Sequence, residues 1–339
     1  MVILTGATGM LGAYILYELA KTGEPITAIK RTASSLQITE TVFRFMKAQP
    51  LASYKNITWV EADITDRLRM LEIIGKEDMV YHCAAMVSFN KADHAAMFET
   101  NVAGTAAVAD ACLINGAKKL CYISSIAALG IAEPGDAITE TDKQTEGSKS
   151  SGYSQSKFKA ELEVWRAAAE GLNAVVLNPS VILGVGDWKN GPSAFFGTVN
   201  KGFKYYTKGA TGFVDALDVA QLAIMLANSE IKGERYIINA ENVSYRTVFS
   251  AIAEQLEKPK PNIEASPMLT ELAWRLEAVR CFFTGKKPLI TKETARSGRS
   301  VKTYSNKKII DTFNYSFISV EKSVADIAAF FLKELKEKK

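Results

Sequence analysis

The stretch GYSQSKFKAE, residues 152–161, places Tyr153 and Lys157 four residues apart. On a helix that spacing puts both side chains on one face, one turn from each other. An ammonium beside a phenol favours the phenolate, so the pair predicts a tyrosine pKa drawn down from about 10 toward neutrality. Such a phenol can pass a proton to or from a carbinol oxygen. Upstream, KLCYISSIAALG sets Ser124 and Ser125 at the end of an apolar run. At the carboxyl end of a buried strand a serine hydroxyl can hydrogen-bond a reacting oxygen, or simply cap the turn that follows.

The chain also begins with a loop suited to a phosphate. TGATGMLG spaces Gly6, Gly9 and Gly12 three apart, between an apolar run and a helical pattern. Gly6 can take the turn, Gly9 lets backbone approach a ligand, and Gly12 lets helix and strand pack closely. The helix that follows offers free N–H groups and its positive dipole end to a pyrophosphate. Thr8, Met10 and Leu11 are read with the glycines as cofactor contacts. The spacing is GxxGxxG where dehydrogenases usually carry GxGxxG, yet its place between strand and helix makes it a dinucleotide loop. At the end of the next strand, where a carboxylate would hold the ribose of NAD, the chain has Lys30 and Arg31. A basic pair accepts a 2′-phosphate, and the fork of Arg31 suits it best, with Thr32 and Ser34 at hand. The expected cofactor is NADP(H); NAD(H) is the alternative if the pair is only surface charge.

These residues need a frame. Apolar runs at Val2–Thr5, Pro25–Lys30, Ile57–Glu61, Met79–His82, Lys119–Ser124 and Ala174–Asn178 read as strands. Helical patterns at Met10–Lys21, Asp66–Ile74, Ala92–Asn115 and Tyr153–Glu170 lie between them. Buried strands separated by helices form a parallel sheet covered on both faces. The fold class is therefore α/β, a Rossmann-type doubly wound sheet with a smaller, mostly C-terminal cap. We place the cofactor domain at 1–183 and 213–240, the substrate-binding cap at 184–212 and 241–318, and a terminal helix at 319–339. Phe195, Phe196, Phe203, Tyr205 and Tyr206 give the cap an aromatic cluster, which is either its core or the wall of an apolar substrate pocket.

Composition narrows the function. A net charge of +4 with scattered basic residues predicts no nucleic-acid partner. Cys83, Cys112, Cys121 and Cys281 fall in no metal-ligand spacing, and with two histidines no metal site is expected. The cysteines read as small apolar residues of a reduced, cytoplasmic protein. No spanning segment or signal peptide is expected. Met268, Leu269, Leu272, Leu276, Val279, Phe282 and Phe283, followed by Lys286 and Lys287, form an apolar face that a cap contact or a dimer explains better than a membrane. The expected partner is a small-molecule substrate, and the expected assembly a monomer or homodimer.

Taken together, TGATGMLG, EADITD, VYHCAA, NVAGT, YISSIAALG, YSQSK, NPSVILG and GFVDALDVA resemble the extended short-chain dehydrogenase/reductases, the NAD(P)-dependent epimerase/dehydratase superfamily. The resemblance runs from residue 1 to about 335 and within the superfamily leans to the dihydroflavonol reductase and hydroxysteroid dehydrogenase branch. It implies Ser125 as the catalytic serine with Ser124 in the same pocket, and Tyr153 as general acid/base. Lys157 would lower the tyrosine pKa and hold the nicotinamide ribose. Asn101 would keep a structural or proton-relay water. Asp63 and Ile64 would contact adenine, Ala84 and Ala85 the ribose, and Pro179 to Val181 would border the nicotinamide. Many sugar-nucleotide members carry arginine before the proline of NPSVILG, where this chain has Asn178. The implied activity is an NADP(H)-dependent carbonyl reduction or alcohol oxidation on an apolar or aromatic molecule. A nucleotide-sugar epimerase or dehydratase with bound NAD is the second reading, and a non-catalytic NADP-sensing regulator the third.

Overall fold

Period-two alternation in the strands builds the molecule. Leu4, Tyr81, Cys121 and Leu177 point into one apolar cluster, while Ile3, Val80, Leu120 and Val176 point into another on the opposite face. Both faces being apolar, the strands must be covered on both sides, which parallel strands with helical crossovers achieve.

The protein is described here from a computed structural model covering residues 1–144, 150–284 and 291–337. Lys286 and Lys287, and the side chains of Val279, Cys281, Phe282 and Phe283, lie outside the described residues. The first half runs β1 (Val2–Thr5), α1 (Met10–Ala20), β2 (Ile26–Lys30), α2 (Gln37–Phe45), β3 (Ile57–Glu61), α3 (Arg67–Ile73), β4 (Met79–His82), α4 (His94–Phe98), α5 (Gly104–Asn115), β5 (Lys119–Ile123), α6 (Gly152–Ala169) and β6 (Ala174–Pro179). The rest runs β7 (Val181–Leu183), α7 (Ala194–Asn200), β8 (Tyr205–Tyr206), β9 (Ala210–Asp215), α8 (Ala216–Asn228), β10 (Glu234–Ile238), β11 (Glu241–Ser244), α9 (Tyr245–Gln255), β12 (Ile263–Glu264), α10 (Pro267–Thr284), α11 (Lys292–Ser297), α12 (Lys307–Phe313) and α13 (Val320–Glu337).

Seven parallel strands form the main sheet in the order β10-β6-β5-β4-β1-β2-β3. The direction of winding reverses between β1 and β4, so a crevice opens there at the carboxyl ends of the strands. Both are paired in register, Thr5 beside His82. The later elements form a three-stranded sheet (β11-β9-β7), the β8–β12 pair, and a third apolar cluster. That cluster takes Phe196 from α7, Ile252 from α9 and Phe331 from α13.

Two features differ from the sequence reading. The helix expected over Ala92–Asn115 is interrupted by a π turn at Glu99–Ala103. One extra residue in that turn rotates Asn101 inward, where it is 1% exposed. Helix α2 was not foreseen, because Ile38, Thr39, Thr41 and Val42 are β-branched and weaken a helical reading. Its Phe43 nevertheless packs edge-on against Tyr17 and Tyr54, and that burial overrides the local preference.

Candidate active site

The glycine loop occupies the crevice. Gly6 has φ +74°, and a Cβ on it would come within 2.6 Å of Ala84 N. A Cβ on Gly12 would lie 2.0 Å from Gly6 O, so loop and helix touch through the missing side chain. Gly9 differs: its nearest neighbour would be Gly6 O at 3.4 Å, so its outer side is open. Gly9 caps α1 without a side chain, and the first turn holds no carboxylate. The pole of α1 thus presents backbone N–H groups and an uncompensated positive end, a fit for a pyrophosphate. Leu11 is buried in the core and Met10 packs on Gly186 and Ser193, so both face the loop only through backbone. Thr8 borders a cavity of about 1270 Å³ that runs past Ser34 and Gln37 to Trp188 and Glu334, away from Tyr153.

The basic pair separates. Lys30 bonds Glu61 across β2 and β3 at 2.7 Å, so its charge is spent inside the sheet edge. That bond, with one from Thr32, holds the Glu61 carboxyl below the usual range. Arg31 is exposed and has no ion-pair partner among the described residues. Asp63 is exposed and accepts from the N–H and hydroxyl of Thr65, which shapes the loop after β3. Ile64 is buried against Gly104, leaving only backbone for a ligand. Ala84 is half-buried and its N–H donates to Thr5, while Ala85 is exposed at the rim. Pro179 is buried, and Val181, half-buried, pairs with Phe213.

Helix α6 carries Tyr153 and Lys157. Ser151 caps it, and the hydroxyl of Ser154 donates to Ala127 O at 2.6 Å, tying the helix to the Ser125 turn. Ser125 pulls the Tyr153 phenol down against the larger upward push of burial. The net direction is upward. The structure therefore corrects the expectation that the lysine lowers this tyrosine. Lys157 Nζ turns to Ile123 O at 2.8 Å and lies 4.7 Å from the Tyr122 ring centre. Burial brings Lys157 down to about 8, with Cys83 and Glu161 opposing. The pull on the phenol comes from Ser125 instead.

Ser124 is a second correction. Alternation at the strand end sends its side chain away from Ser125, and its hydroxyl donates to Glu161 at 2.6 Å. Asn101 braces the site: it accepts from Met86 N, and donates to Met86 O and to Ser156 Oγ. Ser156 in turn donates to Tyr153 O. Both amide hydrogens are thereby committed to protein groups.

Several participants escaped the sequence reading. Phe89 meets the Tyr153 ring edge-on at 5.8 Å. Glu161, 2% exposed, gathers four donors behind the serines; its only signal was the continued four-residue spacing after Lys157. His94 and Glu293 converge on Gly152, the first residue of α6. Each leaves one buried polar atom, Nε2 and Oε2, without a partner. Of the five aromatics Phe196 is core, packed with Trp188 and Phe331; Phe195 and Phe203 pack partly buried on Phe249, and Tyr205 is exposed. Tyr206 lies under Arg246. Among the described residues no three His, Cys, Asp or Glu side chains are grouped to hold a metal.

With this geometry in place, comparison with known proteins identifies the lineage. The sequence profile of the NAD dependent epimerase/dehydratase family matches residues 2–239. The chain belongs to that family. Among curated members it is 25% identical over 335 residues to "Sterol demethylase protein B" of Methylococcus capsulatus, covering 97% of each. It is 26% identical over 336 residues to a "Putative dihydroflavonol 4-reductase" of Synechocystis, covering 97% of this chain and 93% of that one. Among solved structures, gox2253 superposes with a TM-score of 0.80 at 24% identity over 98% of both chains. The Thermus thermophilus UDP-glucose 4-epimerase complex with NAD gives 0.72 at 20% identity, again over 98% of both, a likeness of fold. As a member of that family the chain is an oxidoreductase that takes a nicotinamide dinucleotide. No described helix is long and apolar enough to cross a membrane.

Proposed function

We propose that this protein is an NADP(H)-dependent oxidoreductase that reduces a carbonyl, or oxidises the matching alcohol, of an apolar or aromatic small molecule. The observation that carries the reading is the tie between α6 and the Ser125 turn, Ser154 Oγ donating to Ala127 O at 2.6 Å, which sets Tyr153 and Ser125 in one site. The bound cofactor supplies or accepts the hydride at its nicotinamide ring. Ser125 orients the substrate oxygen, and Tyr153, kept protonated by burial, gives that oxygen its proton. Lys157 holds the nicotinamide ribose through its ammonium. Arg31, exposed at the end of β2, supports a 2′-phosphate and hence NADP(H).

The substrate class rests on the apolar wall that Phe89 sets edge-on to the Tyr153 ring, at 5.8 Å. Curated relatives named "3beta-hydroxysteroid-dehydrogenase/decarboxylase isoform 1" and "Anthocyanidin reductase", both of Arabidopsis thaliana, favour a ring ketone or its alcohol. We place the protein in the cytoplasm, as a monomer or homodimer.

The test is a fluorescence titration with NADPH and NADH, followed by a panel of ring ketones and alcohols. Preferential NADPH binding that Arg31→Ala weakens by about tenfold, with NADH unaffected, is expected for loss of one charge-assisted contact. An NADH preference, or NAD retained through purification without net turnover, would overturn the reading.

A further inference from the structure

Behind the reacting face of α6 lies a buried carboxylate to which the mechanism above assigns no task. Tyr153, Lys157 and Glu161 follow one another at four-residue spacing, so they form one stripe along the helix. Glu161 is 2% exposed, and a carboxylate at such depth is costly unless donors surround it. They do. Its Oε2 accepts from Ser124 Oγ at 2.6 Å and from Asn178 Nδ2 at 2.8 Å. Its Oε1 accepts from Trp165 Nε1 at 3.1 Å and from Arg235 Nη1 at 3.0 Å.

What these donors hold is the significant part. Asn178 also donates to Ser125 O at 3.0 Å, and Ser124 is the residue before it. The carboxylate thus reaches the serine peptide by two routes, from β5 through a side chain and from β6 through an amide. Arg235, on edge strand β10, supplies the counter-charge from the far side.

The same carboxylate lies one helical turn on from the lysine, on the same stripe of α6. Around Lys157 stand Ile123 O, the Tyr122 ring, His82 and Cys83, with the Tyr153 phenol acting on Tyr122 in turn. His82 is drawn down to about 3 by burial and is neutral. Burial pushes the Cys83 thiol up to about 12, so it too is uncharged near neutrality. Burial likewise raises both phenols. Glu161 is then the negative charge among these described groups that favours an ammonium at Lys157.

We propose that Glu161 is a positioning residue of the reaction: through Ser124 and Asn178 it fixes the peptide that carries Ser125, and its charge favours the ammonium of Lys157. The kinetic consequence rests on the oxidoreductase reading; the effect on Lys157 does not.

The experiment titrates Lys157 directly, by the Cε chemical shift in [13C]lysine-labelled protein, with Lys157→Met assigning the resonance. Glu161→Gln keeps the shape and removes the charge. Its Lys157 midpoint should fall by about one pH unit or more, the scale for an opposite charge a few ångströms away. Arg235→Gln leaves Glu161 charged with less compensation and should move the midpoint the other way; it also decides the matter if Glu161→Gln does not fold. Midpoints unchanged in the variants that fold would reduce Glu161 to a structural ion pair and overturn the proposal. Where wild type turns over a ring ketone, Glu161→Gln should lower kcat more than it raises KM and shift the alkaline limb to lower pH. Absence of turnover in wild type would count against the oxidoreductase reading alone, because the Lys157 titration judges Glu161 without substrate.

Discussion

The glycine loop and the Tyr153–Lys157 face of α6 are made of opposite materials. The loop works by absence: no side chain at Gly6, Gly9 or Gly12, no cap and no carboxylate on the first turn of α1. The helix works by accumulation: Tyr153, Lys157, Ser156 and Glu161 are held by partners within α6 and from β5, β6, the π turn and β10. A site made of backbone depends on local geometry, which residue spacing encodes. A site made of buried side chains depends on tertiary partners, which spacing only hints at.

The sharpest way to break this contrast lies within the loop. Gly12→Ala would drive a Cβ to 2.0 Å from Gly6 O, so we expect a loss of about 3 kcal/mol or more, read as a collapse in Tm or in soluble yield. Gly9→Ala, whose Cβ would meet only Gly6 O at an ordinary 3.4 Å, should fold normally and lose cofactor affinity alone. Equal damage from both would mean that the two glycines do the same job.

Lys157→Met tests the helix side, and its sign is informative. Burial lowers the lysine from 10.5 to about 8, so below pH 8 the folded protein carries an ammonium it would rather shed. That displacement is worth roughly 3 kcal/mol, against about 1 kcal/mol for the lost bond to Ile123 O. The variant should therefore lose activity yet be about 1–2 kcal/mol more stable at pH 7 in urea unfolding. The gain should fade as pH rises from 8 toward 10.5, since the folded lysine is then already neutral. A variant less stable than wild type at pH 7 would show that the ammonium is held favourably.

The smallest effect concerns direction. With the phenol held above its ordinary pKa, reduction should be nearly flat around neutrality and weaken as Lys157 loses its proton near pH 8. Alcohol oxidation, which needs phenolate, should climb with pH. Parallel pH profiles in the two directions would contradict the assigned roles.

Much of the frame could be read before folding. Strands β1 and β4 fall where the apolar runs put them, because strands buried on both faces are continuous in sequence; edge strand β3 also falls in place, though Thr58 and Glu61 are exposed. Pro25 drops out of β2, having no N–H for the ladder, and Pro179 closes β6. Less legible was whatever depends on a distant neighbour. The two serines look alike in ISSI, and only the sheet decides that Ser124 turns back to Glu161 while Ser125 meets the phenol. Lys30 and Arg31 likewise look like a pair until Glu61 on the adjacent strand takes one of them. His94 and Glu293 lie far apart in sequence, and nothing local hints that both reach Gly152.

The most direct test of the central claim is Tyr153→Phe, assayed with NADPH and a ring ketone that wild type reduces, with NADPH binding measured on the same samples. The account predicts a fall in kcat on the order of 10²–10⁴-fold, the usual share of general acid catalysis, with cofactor affinity within about threefold of wild type. Substantial turnover in a variant that binds NADPH normally would show that the proton comes from elsewhere and that the phenol at Ser125 is not the acid.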